Sequence, residues 1–170
     1  SQKKAVMSAL GSHALSIIHG PPGTGKSTVL LEIIRQYRVG WPSSRVLVAS
    51  GTNLVVDTLS LLLKDDSVSI CRLGNPARVS LALHQVLVDT STRTGLDLKV
   101  QRSKEAGVTA ATIHGCMGKL MEAMSSSDPY GLVVLDEASQ LVESHTWAAV
   151  TRGLRLVLAG DHMQLPPVVL

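Results

Sequence analysis

With 170 residues, 45% of them hydrophobic and 17% charged, the chain can bury one substantial core, and residues 1–170 are expected to form a single domain. Two cysteines, Cys71 and Cys116, lie far apart without CxxC spacing, which argues against a zinc or disulfide scaffold and fits a reducing compartment, cytoplasmic or nuclear. No apolar run approaches the roughly 18 residues of a membrane span, so no membrane contact is expected. The net charge of +3 sits entirely between Arg72 and Ala106, where Arg72, Arg78, Arg93, Lys99, Arg102 and Lys104 face Asp89, Asp97 and Glu105. That excess suits either a polyanion contact or an ordinary solvated face.

In chain order the elements read as strand, then helix. After "QKKAV" (Gln2 to Val6) comes the short apolar run "LSIIH" (Leu15 to His19), a buried strand. "GPPGTGKS" (Gly20 to Ser27) follows and opens a helix that starts near Lys26 and runs through "STVLLEIIRQY". "RVLVA" (Arg45 to Ala49) is the next strand, and "GTN" leads from it into the helix "LVVDTLSLLL". A third strand is "VSIC" (Val68 to Cys71). Val79, Leu83, Val86 and Leu87 keep helical spacing, and "LVDTSTRTGLD" (Leu87 to Asp97) is the nearest thing to a linker. "GVTAA" (Gly107 to Ala111) is a strand, and Ile113, Met117, Leu120, Met121 and Met124 mark the helix after it. The loop "SSSDPYG" (Ser125 to Gly131) precedes two last strands, "LVVLD" (Leu132 to Asp136) and "RLVLAG" (Arg155 to Gly160). Leu-rich and β-branched strands alternating with amphipathic helices predict an α/β fold, a parallel sheet with helices on both faces.

Two stretches carry chemistry. "GPPGTGKS" is a glycine-rich loop between a strand and a helix, in which Gly20, Gly23 and Gly25 let successive N–H groups point into one cavity. A polyphosphate fits there, with Lys26 as a point charge on the β- and γ-phosphates and the Ser27 hydroxyl on Mg2+. "LVVLDEAS" delivers Asp136 to the carboxyl end of a strand, where it can hold the magnesium. Glu137, one residue on, is placed to orient or deprotonate a water in line with the γ-phosphate, which favours ATP hydrolysis over transfer.

"GPPGTGKS", "DEAS" and "GDHMQLPP" (Gly160 to Pro167) together resemble motifs I, II and III of superfamily 1 nucleic-acid helicases, closest to the up-frameshift, senataxin and immunoglobulin-mu-binding branch. "QKKAV" resembles that branch's Q motif, "SGTNLVVDTL" (Ser50 to Leu59) its motif Ia, and "AATIHG" (Ala110 to Gly115) the threonine-containing motif that follows. "RLGNPARV" (Arg72 to Val79) is similar to the segment that opens the branch's helical insertion. The resemblance covers nearly the whole chain. It implies a RecA-like P-loop NTPase fold, with a small helical insertion at about residues 72–106. It assigns Gln2, Gly20, Pro21, Pro22, Gly23, Thr24, Gly25, Lys26, Ser27 and Thr28 to ATP, with Gln2 on the adenine, and Ser27 and Asp136 to Mg2+. Glu137 goes to the attacking water and Gln164 to the γ-phosphate, where its amide could report the phosphate's presence to the loop "LPPVV". Thr52, Asn53 and Thr112 match positions that contact the backbone of a bound single strand of RNA or DNA.

These last three have a plainer reading, because Thr and Asn also cap helices. Gln2 could equally belong to a frayed terminus. His19, His114 and His162 lie near strand ends in no metal-ligand spacing and read as packing or surface residues. Gly51 stands where the branch has proline, which loosens that loop. The chain ends just after motif III, so the second RecA-like domain, and the arginine it contributes across the cleft, are expected to lie elsewhere in a parent protein. The resemblance implies a 5′-to-3′ translocase for that parent. Two other functions stay open: a P-loop ATPase acting as a switch on a protein partner, and a nucleic-acid-binding module without ATPase activity.

Overall fold

The computed structural model describes residues 2–11, 14–66, 68–92, 94–126, 128–164 and 166–167. Seven strands form one sheet in which every pairing is parallel: β1 (Leu15–His19), β2 (Val46–Ser50), β3 (Ile70–Gly74), β4 (Leu87–Asp89), β5 (Val108–Thr112), β6 (Leu132–Leu135) and β7 (Leu156–Gly160). Their order is β1-β7-β6-β2-β5-β3-β4. Helices α1 (Gln2–Leu10), α2 (Lys26–Gly40), α3 (Asn53–Asp65), α4 (Leu96–Glu105), α5 (Ile113–Cys116), α6 (Lys119–Ser125) and α7 (Glu143–Val150) complete the chain.

The inner strands are apolar on both faces, as helix-covered parallel strands must be. Every residue of β2 and β6 is buried. Alternation along them feeds two cores: Val46, Val48, Leu132 and Val134 pack with α1, α2 and α3, whereas Leu47, Ala49, Val133 and Leu135 pack with α5, α6 and α7. The predicted α/β architecture is therefore present, with helices on both faces. No helix among the described residues is long and apolar enough to cross a membrane.

Two predicted helices are replaced. The spacing of Val79, Leu83, Val86 and Leu87 predicts one helix, but the segment folds as 3-10 turns at Pro76–Arg78 and Leu81–Leu83 followed by β4. Pairing of Leu87–Asp89 with Arg72–Gly74 extends the sheet by a strand, and Val79 and Leu83 beside the turns and Val88 in β4 still reach the interior. Tertiary pairing thus overrides the helical period. Among the described residues of 72–106, which leave out Arg93, the regular helix is α4. The helix predicted from Ile113 to Met124 is divided into α5 and α6 at Gly118, whose extended backbone (φ −76°, ψ 156°) caps α6.

Candidate nucleotide and single-strand site

Strand order builds the site. Because all strands run the same way, their carboxyl ends meet at one edge, where ligands of open α/β sheets bind. β7 lies between β1 and β6. The glycine-rich loop after β1, the acidic pair after β6 and the Asp161–Gln164 segment after β7 therefore stand side by side.

In the first loop Gly23 and Gly25 adopt φ of 75° and 87°, a left-handed backbone that glycine enters without steric cost. Pro21 and Pro22 are exposed, and Thr24 Oγ1 donates to Pro21 O at 2.7 Å, closing the turn. A Cβ on Gly20 would lie 2.7 Å from that hydroxyl. Gln2 is not frayed: it opens α1, and its Nε2 donates to Thr24 O at 3.1 Å. Lys26 begins α2, is buried, and donates through Nζ to Gly20 O at 2.8 Å. Ser27 and Thr28 follow it, exposed, on the first turn.

Asp136 is only 2% exposed, and its Oδ1 accepts from Glu137 N at 2.9 Å. Burial pushes its carboxyl above the usual range, the Glu137 charge adds to that rise, and the Glu137 N–H and Lys26 pull against it. Glu137 is the one non-glycine residue with positive φ (52°) among the described residues. A left-handed side-chain-bearing residue costs on the order of 1–3 kcal/mol and is held only where its surroundings over-determine it. Here the bend turns Glu137 back toward the glycine-rich loop, with Oε1 3.9 Å from Lys26 Nζ. Its Oε2 accepts from Gln140 Nε2 at 3.5 Å.

Gln164 is tied to Asp161 twice, through its backbone N to Asp161 O at 3.1 Å and its Nε2 to Oδ2 at 3.3 Å. Asp161 is a hub that the motif reading missed. It is buried, its Oδ1 accepts from Met163 N at 3.0 Å, and its own N–H donates to Ser139 Oγ at 3.2 Å. The Met163 N–H, then His19 and Gln164, hold its carboxyl below the ordinary range against the effect of burial. Gly160 allows the close approach between the segments after β6 and β7, since a Cβ there would sit 3.0 Å from both Ser139 N and Ser139 Oγ. Most of "LPPVV" lies outside the described residues.

A match to the AAA domain family covers residues 1–105 and 97–170, which together take in the whole chain. The chain belongs to the AAA domain family. Its sequence is that of a superfamily 1 first motor domain. It is 31% identical, over 99% of its length and 32% of the relative's, to the DNA polymerase alpha-associated DNA helicase A of Schizosaccharomyces pombe. To the mouse DNA-binding protein SMUBP-2 it is also 31% identical, over 98% of this chain and 21% of that one. This AAA domain thus spans a third or less of these relatives. The Type ISP restriction-modification enzyme LlaGI, solved with a DNA substrate mimic, matches 93% of the domain and 17% of its own chain at a TM-score of 0.67 and 14% identity, a likeness of fold.

Beyond the carboxyl ends of β2, β5, β6 and β7 the domain opens a cavity of about 1070 Å³, whose walls include Ser50, Thr52, His114, Glu137, His145 and Gln164. Of the three residues matched to a bound strand, only Thr52 lines it. Thr52 caps α3, accepting from Val55 N at 3.4 Å, and Thr112 caps α5, accepting from Gly115 N at 3.2 Å. Neither hydroxyl donates a hydrogen bond among the described residues. Asn53 Oδ1 accepts from Arg72 Nη2 at 2.7 Å, which leaves its amide hydrogens. Arg72 itself is fully buried and paired with Asp57 at 2.7 Å, so one cation of the basic excess is withdrawn from any polyanion. Gly51 has a packing reason: a Cβ there would lie 3.0 Å from Leu141 Cδ2. Sequence reasoning passed over Ser50, whose buried hydroxyl has no hydrogen-bond partner among the described residues, and the edge-to-face pair of His114 and His145, 5.3 Å apart. Ser50 was within reach, since it is the residue with which the quoted motif Ia begins.

Proposed function

We propose that this domain is the ATP-binding half of a nucleic-acid-dependent ATPase that couples hydrolysis to 5′-to-3′ movement along a single strand. The observation that carries the reading is the position of Glu137, 3.9 Å from Lys26 on one side and in the wall of the large cavity on the other. One carboxylate so placed can act on a phosphate and respond to a strand. Lys26 takes the β- and γ-phosphates, the N–H groups of the Gly20–Gly25 turn cradle them, and Gln2 borders the adenine from its anchor on Thr24 O. Glu137 orients and deprotonates the attacking water. Gln164 contacts the γ-phosphate and relays its loss through Asp161.

Mg2+ suits the donor set: hard cations prefer oxygen, and the exposed Ser27 hydroxyl and the Asp136 carboxylate offer it at one sheet edge, with burial leaving that carboxylate in want of a cation. Bound there, the ion would neutralise charge developing on the phosphates. Thr52, Asn53 and Thr112 donate to backbone phosphates, which position a strand without reading its sequence. The substrate is single-stranded DNA or RNA, and the relatives' names make DNA the first to try. A second RecA-like domain in the same parent chain supplies an arginine, worth on the order of 10³–10⁵ in rate, and the parent works in the nucleus or cytoplasm.

The test uses the full-length protein. Lys26→Ala is expected to abolish Mg-ATP binding by calorimetry. Glu137→Gln should leave binding intact and slow turnover by about 10²–10⁴. Equal loss of ATP affinity in both variants would refute these roles.

A further inference from the structure

His19, Asp161 and His162 converge at the seam between β1 and β7. His19 ends β1, directly before Gly20, while Asp161 and His162 directly follow the strand that pairs with it, His19 being opposite Gly160 in the register. One ligand-type atom from each of the three residues falls within 4.8 Å of the others. His19 Nε2 is 3.2 Å from Asp161 Oδ1, and the two imidazoles lie 4.6 Å apart between centroids, tilted by 40°. We propose that His19, Asp161 and His162 form a binding site for a borderline transition-metal dication, Zn2+ above all, separate from the Mg2+ site of the nucleotide.

Two imidazoles and one carboxylate make a donor set that suits zinc and suits magnesium poorly. Donors at about 2.0–2.1 Å from a tetrahedral ion stand roughly 3.3 Å from one another, the spacing already present between His19 and Asp161. Only His162 has to close up. It is exposed, and its ring makes no hydrogen bond among the described residues that would resist the rotation. The carboxylate is oriented beforehand, as those of metal sites are, by Met163 N at 3.0 Å and Gln164 Nε2 at 3.3 Å. A plain ion pair explains His19 against Asp161 but gives no reason for a second imidazole to converge on them. The half-exposed His19 and the exposed His162 leave the ion a path in and a position for water.

An ion here would fasten the start of the phosphate loop to the base of the segment that carries Gln164. It would therefore act as a brake on the loop movement that turnover requires, a consequence that rests on the function proposed above, whereas binding itself does not.

The experiment titrates untagged full-length protein, without nucleotide, with Zn2+ by calorimetry and with Co2+ by visible absorption. One ion per chain is expected at this site, with tetrahedral-type cobalt bands, and at least a tenfold loss of affinity in both His19→Gln and His162→Ala. Lys26→Ala should bind the ion as the parent does, which separates this site from the nucleotide's. Thermal melting of His162→Ala without metal should match the parent, since that side chain is exposed. Binding unchanged by His162→Ala, or cobalt bands absent at millimolar ion, would overturn the proposal. If the ion binds as expected but Glu137→Gln keeps full ATP turnover, the site stands and the catalytic reading falls.

Discussion

Replacing Arg72 with methionine tests how the loop after β2 is held. The guanidinium is fully buried, donating through Nε to Asp57 Oδ1 at 2.7 Å, through Nη2 to Asn53 Oδ1 at 2.7 Å, and through Nη1 to Leu73 O. Asp57 is 8% exposed and among the described residues has one other donor, Ser80 N, at 2.8 Å on Oδ2. Arg72→Met therefore strands a carboxylate in the interior with a single neutral N–H. Removing one partner of such a pair costs about 3–5 kcal/mol, a large share of the roughly 5–15 kcal/mol that holds a domain folded. Removing both charges, with Asp57→Leu added, leaves only neutral groups unpaired, at about 1–3 kcal/mol, so the double variant should be more stable than Arg72→Met alone by about 2 kcal/mol. Urea unfolding of the four proteins in the cycle, followed by fluorescence, measures the difference. Strand binding should fall in both variants, because each frees Asn53 at the start of α3. A single variant that loses less than about 1 kcal/mol, or a double variant as unstable as the two singles summed, would refute the claim that a desolvated ion pair fixes this corner.

Two further outcomes are expected. Gly160→Ala forces the segment after β7 away from Ser139 and should cost about 1–3 kcal/mol of stability while lowering ATP turnover more than ATP affinity; stability and kinetics both equal to the parent's would show that the close approach is unimportant. With Arg72 withdrawn from the surface, the domain should neutralise about two phosphates of a single strand, giving a log–log salt slope of about −1.4 without base preference; fluorescent oligonucleotides of different sequence measure both, and a slope near −4 or a strong base preference would reveal a cationic surface the structure does not suggest.

What could be read from the sequence was whatever chemistry pins to a fixed spacing. β1 begins and ends where the run "LSIIH" does, because the phosphate loop bounds it on one side, but it is not the buried strand expected: it lies at the sheet edge, with Leu15, Ile17 and His19 exposed. β2, β5 and β6 fall within a residue of their predicted limits, since buried strands are continuous apolar runs, and so does the half-buried β7. The motifs and their context also locate the glycine-rich turn ahead of α2, with Lys26 at its start, and the Asp136–Glu137 pair directly after β6. Pairing between distant segments was out of reach. A count of charges treats Arg72 as solvated, yet Asp57 on another element cancels it. The apolar spacing at Val79–Leu87 satisfies a helix on paper, whereas a free sheet edge beside β3 recruits Leu87–Asp89 into a strand. The strand order is the deepest case. Nothing local in "RLVLAG" says that this last strand inserts between β1 and β6, and that insertion sets Asp161 against His19 and puts Gln164 in the wall of the same cavity as Glu137. A parallel sheet gathers the ends of remote segments at one edge, so each part of such a site can be named from the sequence while their convergence depends on which strands become neighbours.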